Sequence, residues 1–114
     1  MQKAKLGKYH AKKTEVDGIA FDSKREAERY IYLKGLEAEG EITDLQRQVR
    51  FQLIPSQKRP DGKTERACTY IADFVYWQNG QRVVEDVKGV ETDVYKLKRK
   101  LMLYMLGIGI KEVR

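Results

Sequence analysis

The segment Val83-Val84-Glu85-Asp86-Val87-Lys88-Gly89 has the composition of a buried strand, yet it carries an acid and a lysine two residues apart. Side chains alternate across a strand, so Val84, Asp86 and Lys88 share one face while Glu85 takes the other. A carboxylate and an ammonium group therefore meet at the end of one face. Because buried charges need partners or a metal ion, this strand predicts a functional site.

A second apolar run precedes this strand, from Tyr70 to Trp77, and a single acid, Asp73, interrupts it. The two runs are joined by Gln78-Asn79-Gly80-Gln81, and an Asn-Gly pair between two such runs is a strong hairpin signal. The hairpin is expected to bring Asp73 close to Asp86. Two carboxylates and a lysine that converge on a sheet suit a hard divalent cation.

Composition limits the possible classes of protein. The chain has 114 residues, 41% of them hydrophobic, which fits one compact domain, and its net charge of +6 favours a polyanionic partner such as nucleic acid. The single Cys68 excludes an internal disulfide and suggests a reducing cytoplasm. The N-terminus lacks the apolar stretch of a signal peptide, and the longest apolar run, Leu101–Leu106, is too short to span a membrane.

The first fourteen residues carry five lysines and no acid. We interpret residues 1–14 as a flexible basic arm and residues 15–114 as a single domain. Lysines on such an arm, Lys12 and Lys13 among them, are candidates for contact with a phosphate backbone. The alternative is a tail that only improves solubility. His10 is the only histidine, so a histidine-based metal site or catalytic triad is hard to build.

Residues 16–21 are predicted to form either a short extended segment or a tight hairpin that turns at Asp17-Gly18, and a helix is predicted after them. The capping-box pattern Ser23-Lys24-Arg25-Glu26 marks its start, and Gly40 marks its end. Its expected buried residues are Ala27, Tyr30, Ile31, Leu33, Leu36 and Ala38. Glu26 lies at the edge of that face, so it either serves only the cap or faces a site.

Residues 42–54 change to a period of two, which predicts a strand with one solvated face. Its apolar members are Val49, Phe51 and Leu53. Pro55 closes the strand, and the polar segment Ser56–Arg66 is predicted to be a mobile loop between adjacent strands. Such a loop either closes around a bound ligand or has no function.

A second helix is predicted from a cap at Thr92 or Asp93 to Gly107, with a last strand, parallel to its neighbour, over residues 108–113. Its apolar positions follow helical spacing: Val94, Leu97, Leu101, Tyr104 and Met105. The other side carries Lys96, Lys98, Arg99 and Lys100. A basic helix side is either a solvated surface or a phosphate-binding surface, and its place directly after the Asp86 strand favours the second interpretation.

This combination of residues suits phosphodiester hydrolysis. The reaction needs charge neutralisation on the phosphate, a deprotonated water and a stabilised leaving oxygen, all of which Mg²⁺ supplies. Asp73 and Asp86 suit its preference for oxygen ligands. Lys88 either orients the water, helps to deprotonate it, or offsets phosphate charge. Glu26 can complete the site through a water or a second metal ion.

These residues resemble the PD-(D/E)XK nuclease superfamily, which has a restriction-endonuclease-like core. More specifically, the chain is similar to a family of small phage-encoded endodeoxyribonucleases, formerly a domain of unknown function, over residues 18–113. The matching segments are Phe21-Asp-Ser-Lys-Arg-Glu-Ala-Glu-Arg-Tyr, Tyr70-Ile-Ala-Asp-Phe, Val84-Glu-Asp-Val-Lys-Gly and Lys96-Leu-Lys-Arg-Lys-Leu. Ala72 stands where the superfamily usually has a proline.

The resemblance implies an α/β fold, a mixed central sheet flanked by two main helices. It implies catalytic roles for Glu26, Asp73, Asp86 and Lys88, with the three acids binding Mg²⁺ or Mn²⁺. It places Lys98 near the phosphate. Small phage nucleases of this kind suggest branched DNA, such as Holliday junctions or replication intermediates, as substrate in the host cytoplasm.

A junction-cleaving enzyme makes paired nicks, so we expect a homodimer, with Met102 and Leu103 among the interface residues. The main alternative is a non-catalytic nucleic-acid-binding module that uses its acids structurally, with Asp73 and Lys88 as a buried ion pair. A third possibility is a protein-interaction domain within a phage replication complex.

Overall fold

The computed structural model describes residues 13–114. The predicted basic arm, with His10 and Lys12, lies almost entirely outside these residues. The described chain contains eight strands and two helices. It divides into two compact units, one up to Glu41 and one from Ile42 onward. Within residues 13–114, neither helix is long and apolar enough to cross a membrane.

The first unit begins with a short antiparallel hairpin of β1 (Thr14–Val16) and β2 (Ile19–Phe21). Asp17 and Gly18 form its turn with φ angles of 54° and 76°. Two successive positive φ values match the twist of the flanking strands, which explains the preference for Asp-Gly here. Of the two alternatives that the sequence left open, the hairpin is confirmed.

Helix α1 follows the hairpin and spans Lys24–Ala38. The Ser23 hydroxyl accepts a hydrogen bond from the Glu26 N–H at 3.1 Å, as the capping-box pattern predicts. The buried residues are Ala27, Tyr30 and Leu33. The prediction that Ile31 and Ala38 are buried is wrong, because the buried stripe follows a spacing of three residues and leaves both exposed.

The second unit is built on a four-stranded sheet in the order β3-β6-β7-β8. Its strands are β3 (Thr43–Ile54), β6 (Cys68–Gln78), β7 (Gln81–Val87) and β8 (Lys111–Val113). Strands β7 and β8 are parallel, whereas the other neighbours are antiparallel. The predicted α/β fold with a mixed sheet and two helices is confirmed.

The β6–β7 hairpin closes at the predicted Asn-Gly turn. Gln78 pairs with Gln81, and Asn79 and Gly80 have φ angles of 53° and 74°. This geometry fixes the register of both central strands, because hairpin register follows from turn type. It pairs Phe74 with Glu85 at the far end of the ladder.

The predicted mobile loop between β3 and β6 is instead an ordered two-stranded ribbon. Strand β4 (Gln57–Lys58) pairs with strand β5 (Thr64–Glu65) in antiparallel fashion. The sequence did not indicate these strands because neither contains an apolar residue, and period-two alternation is the signal that predicts a strand.

Helix α2 spans Asp93–Leu106, with Thr92 as its N-cap and Gly107 as its left-handed C-cap. Its core contacts come from the buried side chains of Tyr95 and Met102 and the half-buried Leu101. The four other residues of the predicted apolar stripe are exposed: Val94 by 63%, Leu97 by 58%, Tyr104 by 85% and Met105 by 49%. The helix is apolar on two sides, and the sheet packs against the side that carries Tyr95 and Met102.

Candidate active site

Asp86 and Lys88 form the centre of the candidate site, at the end of strand β7. Asp86 is 4% exposed. The Lys88 Nζ atom lies 2.9 Å from its Oδ2 atom. Both residues lie on the face that Val84 presents to the core, as strand alternation predicts. A buried carboxylate is thus paired with a half-buried ammonium group, which meets the requirement that buried charges be compensated.

The neighbouring acid, Glu85, belongs to the opposite face of the sheet. Its side chain is fully buried, accepts a hydrogen bond from the Tyr76 hydroxyl, and lies 3.9 Å from the Lys111 Nζ atom. Of the two adjacent acids, only Asp86 pairs with Lys88. The choice of Asp86 over Glu85 as the site acid agrees with this pairing and stays a prediction.

Asp73 lies where strands β6 and β7 separate. Their ladder ends at the Phe74–Glu85 pair, and the next positions along are Asp73 and Asp86. There the Asp73 Oδ2 atom accepts a hydrogen bond from the Val87 N–H at 2.9 Å. The carboxylate thus continues the ladder in place of a backbone carbonyl. It is held by the backbone of the strand that carries Asp86.

An irregularity in the sheet lies beside Asp73. Gln48, in the middle of β3, has a φ angle of 53°, a conformation that is uncommon for a residue with a side chain. Its Nε2 atom lies 3.4 Å from the Asp73 Oδ1 atom. On β6, Ala72 and Val75 both join the core although they are three residues apart, so alternation is interrupted at Asp73. The Gln48 amide therefore lies beside the Asp73 carboxylate and helps to hold it in place.

Tyr95 of α2 holds the Lys88 side chain from the other direction. The Lys88 Nζ atom lies 3.8 Å from the centre of the Tyr95 ring, a favourable cation–π contact. The Tyr95 hydroxyl donates to the Glu112 Oε2 atom at 2.7 Å, which fixes the ring. Burial raises the pKa of the Tyr95 hydroxyl, and this hydrogen bond raises it further. The ammonium group of Lys88 thus sits between a carboxylate and an aromatic face.

Tyr70 of β6 adds a buried hydroxyl to the cluster. Its side chain is 4% exposed, and the hydroxyl makes no hydrogen bond of acceptable geometry with any group in residues 13–114. Burial raises the pKa of this hydroxyl, and the nearby Asp86 and Asp73 carboxylates raise it further. It therefore stays protonated at neutral pH. A buried polar group of this kind generally requires a water or ion as partner.

A charge network at the junction of α2 and β8 supports Tyr95. Arg99 lies 2.7 Å from Glu112 and 3.2 Å from Glu91, and Arg114 contacts the same two carboxylates. The hydrogen bond from Tyr95, followed by that from Arg99, lowers the pKa of Glu112. Because its guanidinium group is already engaged here, Arg99 is a weaker phosphate-binding candidate than its place in the sequence suggested.

The remaining candidates for DNA contact differ in their surroundings. Lys96 and Lys100 are exposed and lie four residues apart on one side of α2, whereas Lys98 is partly buried on another side. The predicted basic cluster therefore does not share one helix face. Lys13 pairs with Asp22 at 3.4 Å across two exposed side chains. Lys12 lies outside the described residues.

Glu26 lies on α1, in the first compact unit. Its backbone N–H completes the Ser23 cap, and its side chain is half-buried. Its assignment to the site of Asp73 and Asp86 stays a prediction.

The donor set suits Mg²⁺ through two carboxylates. Among residues 13–114, no group of three or more histidine, cysteine or acidic side chains is arranged to hold a metal ion. Mg²⁺ commonly binds through one or two carboxylates and keeps several waters. Asp73 and Asp86 would be the carboxylate ligands of such an ion, and the buried Tyr70 hydroxyl lies close to the Asp86 carboxylate.

Comparison with protein families adds one finding. The family model described as "Protein of unknown function (DUF1064)" matches residues 6–111. The chain belongs to this family. The match includes all the candidate active-site residues of both units. No curated protein matches the chain.

Sequence reasoning missed three members of the cluster in this DUF1064 chain: Gln48, Tyr70 and Tyr95. The two tyrosines lie in apolar runs, where their rings are indistinguishable from ordinary core residues. The left-handed backbone of Gln48 has no sequence signature, because glycine is the residue that normally marks such a conformation. The only available signal was the position of Tyr70 on the same strand as Asp73.

Proposed function

We propose that the protein is a divalent-metal-dependent DNA endonuclease of the PD-(D/E)XK type. The observation that carries the proposal is the buried Asp86–Lys88 pair, separated by 2.9 Å at the point where β6 and β7 diverge beside Asp73. A pair of strands that only supported a core would have no need for three ionisable side chains there. Charged groups gathered at such a position are typical of active sites.

Asp73 and Asp86 are the proposed ligands of Mg²⁺, for which Mn²⁺ can substitute. When bound, the metal ion supplies charge neutralisation on the scissile phosphate and lowers the pKa of a coordinated water. The chain's own contribution is to fix the two carboxylates. The Val87 N–H and the Gln48 amide hold Asp73, and Lys88 holds Asp86. Glu26 remains the proposed third acid.

Lys88 is proposed to act as a positive charge toward the phosphate. Its ammonium group contacts a carboxylate on one side and the Tyr95 ring on the other, and both contacts are made by the cation. A fixed ammonium group stabilises the negative charge that develops on the phosphate oxygens. Of the three roles that the sequence leaves open for Lys88, stabilisation of phosphate charge agrees best with the contacts of its ammonium group.

DNA with branches is the proposed substrate, and the host cytoplasm is the proposed location. The net charge of +6 and the exposed Lys96 and Lys100 support a polyanionic partner. The choice of Holliday junctions or replication intermediates rests on the resemblance to small phage nucleases. Paired nicks at such a junction require two active sites, hence a homodimer.

The second candidate function is a non-catalytic nucleic-acid-binding module. The Asp86–Lys88 ion pair favours it, because the acid is already compensated without a metal ion. The partner that the sequence predicts for Lys88 in this alternative, Asp73, is wrong, because Lys88 pairs with Asp86 and Asp73 accepts from the Val87 N–H. The presence of a second carboxylate, Asp73, next to this pair is the observation that the alternative leaves unexplained.

Cleavage of labelled DNA tests the proposal. Linear, flapped and four-way DNA are incubated with the protein in Mg²⁺, in Mn²⁺ and in EDTA. We expect products with either metal, none in EDTA, and the highest rate on a branched substrate. Intact DNA with every substrate and both metals, although the DNA is bound, would instead support the binding module.

A further inference from the structure

We propose that the β4–β5 ribbon, residues 55–67, is a duplex-DNA contact that lies along or within a groove. The proposal deepens the proposed function, on which it rests for the class of partner. All thirteen residues of the ribbon are exposed. The segment connects β3 to β6, so it extends from the strand that carries Asp73 and Tyr70.

The ribbon is ordered by its own polar contacts. The Arg59 N–H bonds to the Lys63 carbonyl at 2.8 Å, and the Gly62 N–H bonds to the Arg59 carbonyl at 2.9 Å. Gly62, with a φ angle of 85°, allows the turn. The segment therefore has a defined shape although it buries no side chain. Because it adds nothing to the hydrophobic core, the fold does not require its length.

Charge pairing within the ribbon leaves an excess of cations. Both of its acids, Asp61 and Glu65, are engaged by Arg59, at 2.8 Å and 3.4 Å. Lys58 and Lys63 make no ion pair with any carboxylate in residues 13–114. Lys58 instead donates to the Thr64 hydroxyl at 3.1 Å. Arg66 adds a third cation at the base, so the ribbon presents unpaired positive charge to solvent.

The dimensions fit a duplex. The six residues from Pro55 to Pro60 extend over at most roughly 20 Å, at about 3.3 Å per residue. The major groove of B-DNA is about 12 Å wide and admits a two-stranded ribbon. Lysine and arginine side chains on such a ribbon reach the phosphates that line the groove. The ribbon contains no aromatic residue on which unpaired bases would stack, which favours a duplex over a single strand.

The test compares two double variants that remove the same net charge. Lys58→Ala/Lys63→Ala removes two unpaired cations from the ribbon. The matched control, Arg29→Ala/Lys34→Ala, removes two cations of α1 that already have partners, the Tyr32 ring and Glu37 respectively. Binding to a 25-base-pair duplex is measured without metal over a range of salt concentrations. A 25-nucleotide single strand serves as the second probe.

We expect the ribbon variant to bind the duplex about tenfold more weakly at low salt. The slope of log K against log salt should fall by about 1.8, because each lost phosphate contact accounts for about 0.9. The control variant should change this salt slope far less. The ribbon substitutions should also weaken binding to the single strand less than binding to the duplex. The proposal would be overturned if the ribbon and control variants had equal salt slopes. It would also be overturned if the ribbon variant lost as much affinity for the single strand as for the duplex.

A third variant, in which residues 56–66 are replaced by Asn-Gly, guards against local misfolding of the ribbon. It should reproduce the duplex-binding defect while its thermal unfolding stays cooperative. Cleavage is measured on the same proteins, so the two proposals fail differently. Cleavage by the wild type with an unchanged salt slope in the ribbon variants would refute the ribbon contact alone. Absence of cleavage by the wild type would refute the nuclease alone.

Discussion

At the scale of single residues, the position of Lys88 between Asp86 and Tyr95 defines its chemistry. Its Nζ atom lies 2.9 Å from the Asp86 Oδ2 atom and 3.8 Å from the centre of the Tyr95 ring. A positive charge held in this way can stabilise an anionic transition state without transferring a proton. The distinction between an electrostatic group and a base is testable, because arginine preserves the first role and not the second.

Lys88→Met should lower kcat by about 10²- to 10³-fold, the usual loss when one charge-stabilising group is removed. Lys88→Arg should retain activity within about tenfold of the wild type, because the positive charge remains. Single-turnover cleavage of a four-way junction with saturating Mg²⁺ provides the rates. Equal inactivation by both substitutions would contradict a role that depends on positive charge alone.

Tyr95 is predicted to act on the reaction only through Lys88. Tyr95→Phe keeps the ring beneath the ammonium group and loses the bond to Glu112, so kcat should stay within about threefold of the wild type. Tyr95→Leu removes the ring, and kcat should fall by about tenfold with little change in the KM for DNA. Circular dichroism confirms that both variants fold. Equal kcat values for the two variants would contradict this positioning role.

At the scale of elements, β8 is tied to α2 by Glu112. This carboxylate accepts from Tyr95 at 2.7 Å and pairs with Arg99 and Arg114. Its pKa is lowered in the folded state. A lowered folded-state pKa stabilises the fold above the unfolded-state value, which is about 4.3, and this contribution disappears as the pH falls through the folded-state value.

Glu112→Gln should therefore lower the free energy of unfolding by about 1 kcal/mol at pH 7, the upper range for exposed ion pairs. The difference from the wild type should shrink steadily below about pH 4. Urea unfolding of both proteins at several pH values measures this difference in the free energy of unfolding. A difference that stays constant from pH 7 to pH 3 would show that the loss comes from packing and not from charge.

The sequence predicted those elements whose signals are local. Turn residues at Asp17-Gly18 and Asn79-Gly80, the Ser23 and Thr92 caps and the Gly107 end of α2 each act within a few residues of chain. Strand alternation likewise placed Asp86 and Lys88 on one face. Local chemistry was sufficient because each signal involves the backbone of its own element.

The features that the sequence did not predict depend on how the helices and strands pack against one another. Helix α2 is apolar at Val94 and Leu97 as well as at Tyr95 and Met102, and only the shape of the sheet decides which side packs. The expectation that Met102 contributes to a dimer interface is wrong for this reason, since the core buries it completely. The contact between Lys88 and Tyr95 joins two elements, and no local pattern encodes it.

At the scale of the whole molecule, the exposed side of α2 is the candidate dimer surface. Seven large apolar side chains between Val90 and Leu106 are at least 43% exposed, Leu103 among them. Of these, Val94, Leu97, Tyr104 and Met105 follow helical spacing and form an apolar stripe along one side of α2, and exposed apolar patches often mark protein interfaces. Lys96 and Lys100 lie beside the patch, so added salt should strengthen self-association by screening their repulsion.

Leu97→Glu should convert a dimer into a monomer, because it places a charge within the apolar patch. Ile31→Glu is the matched control, since Ile31 of α1 is 54% exposed and Leu97 is 58% exposed. The control should sediment as the wild type does. A wild type that sediments as a monomer with and without DNA would refute the dimer, and dissociation of the control alone would locate the interface elsewhere.

The most direct test of the nuclease is the Asp86→Asn variant, assayed for cleavage and binding of the same four-way junction in Mg²⁺. Asparagine preserves the shape of the side chain and removes its charge. We predict that cleavage falls below detection while the junction is bound as tightly as by the wild type or more tightly, because negative charge has left the site. Cleavage at the wild-type rate by the folded variant would show that Asp86 is structural and would contradict the proposed active site.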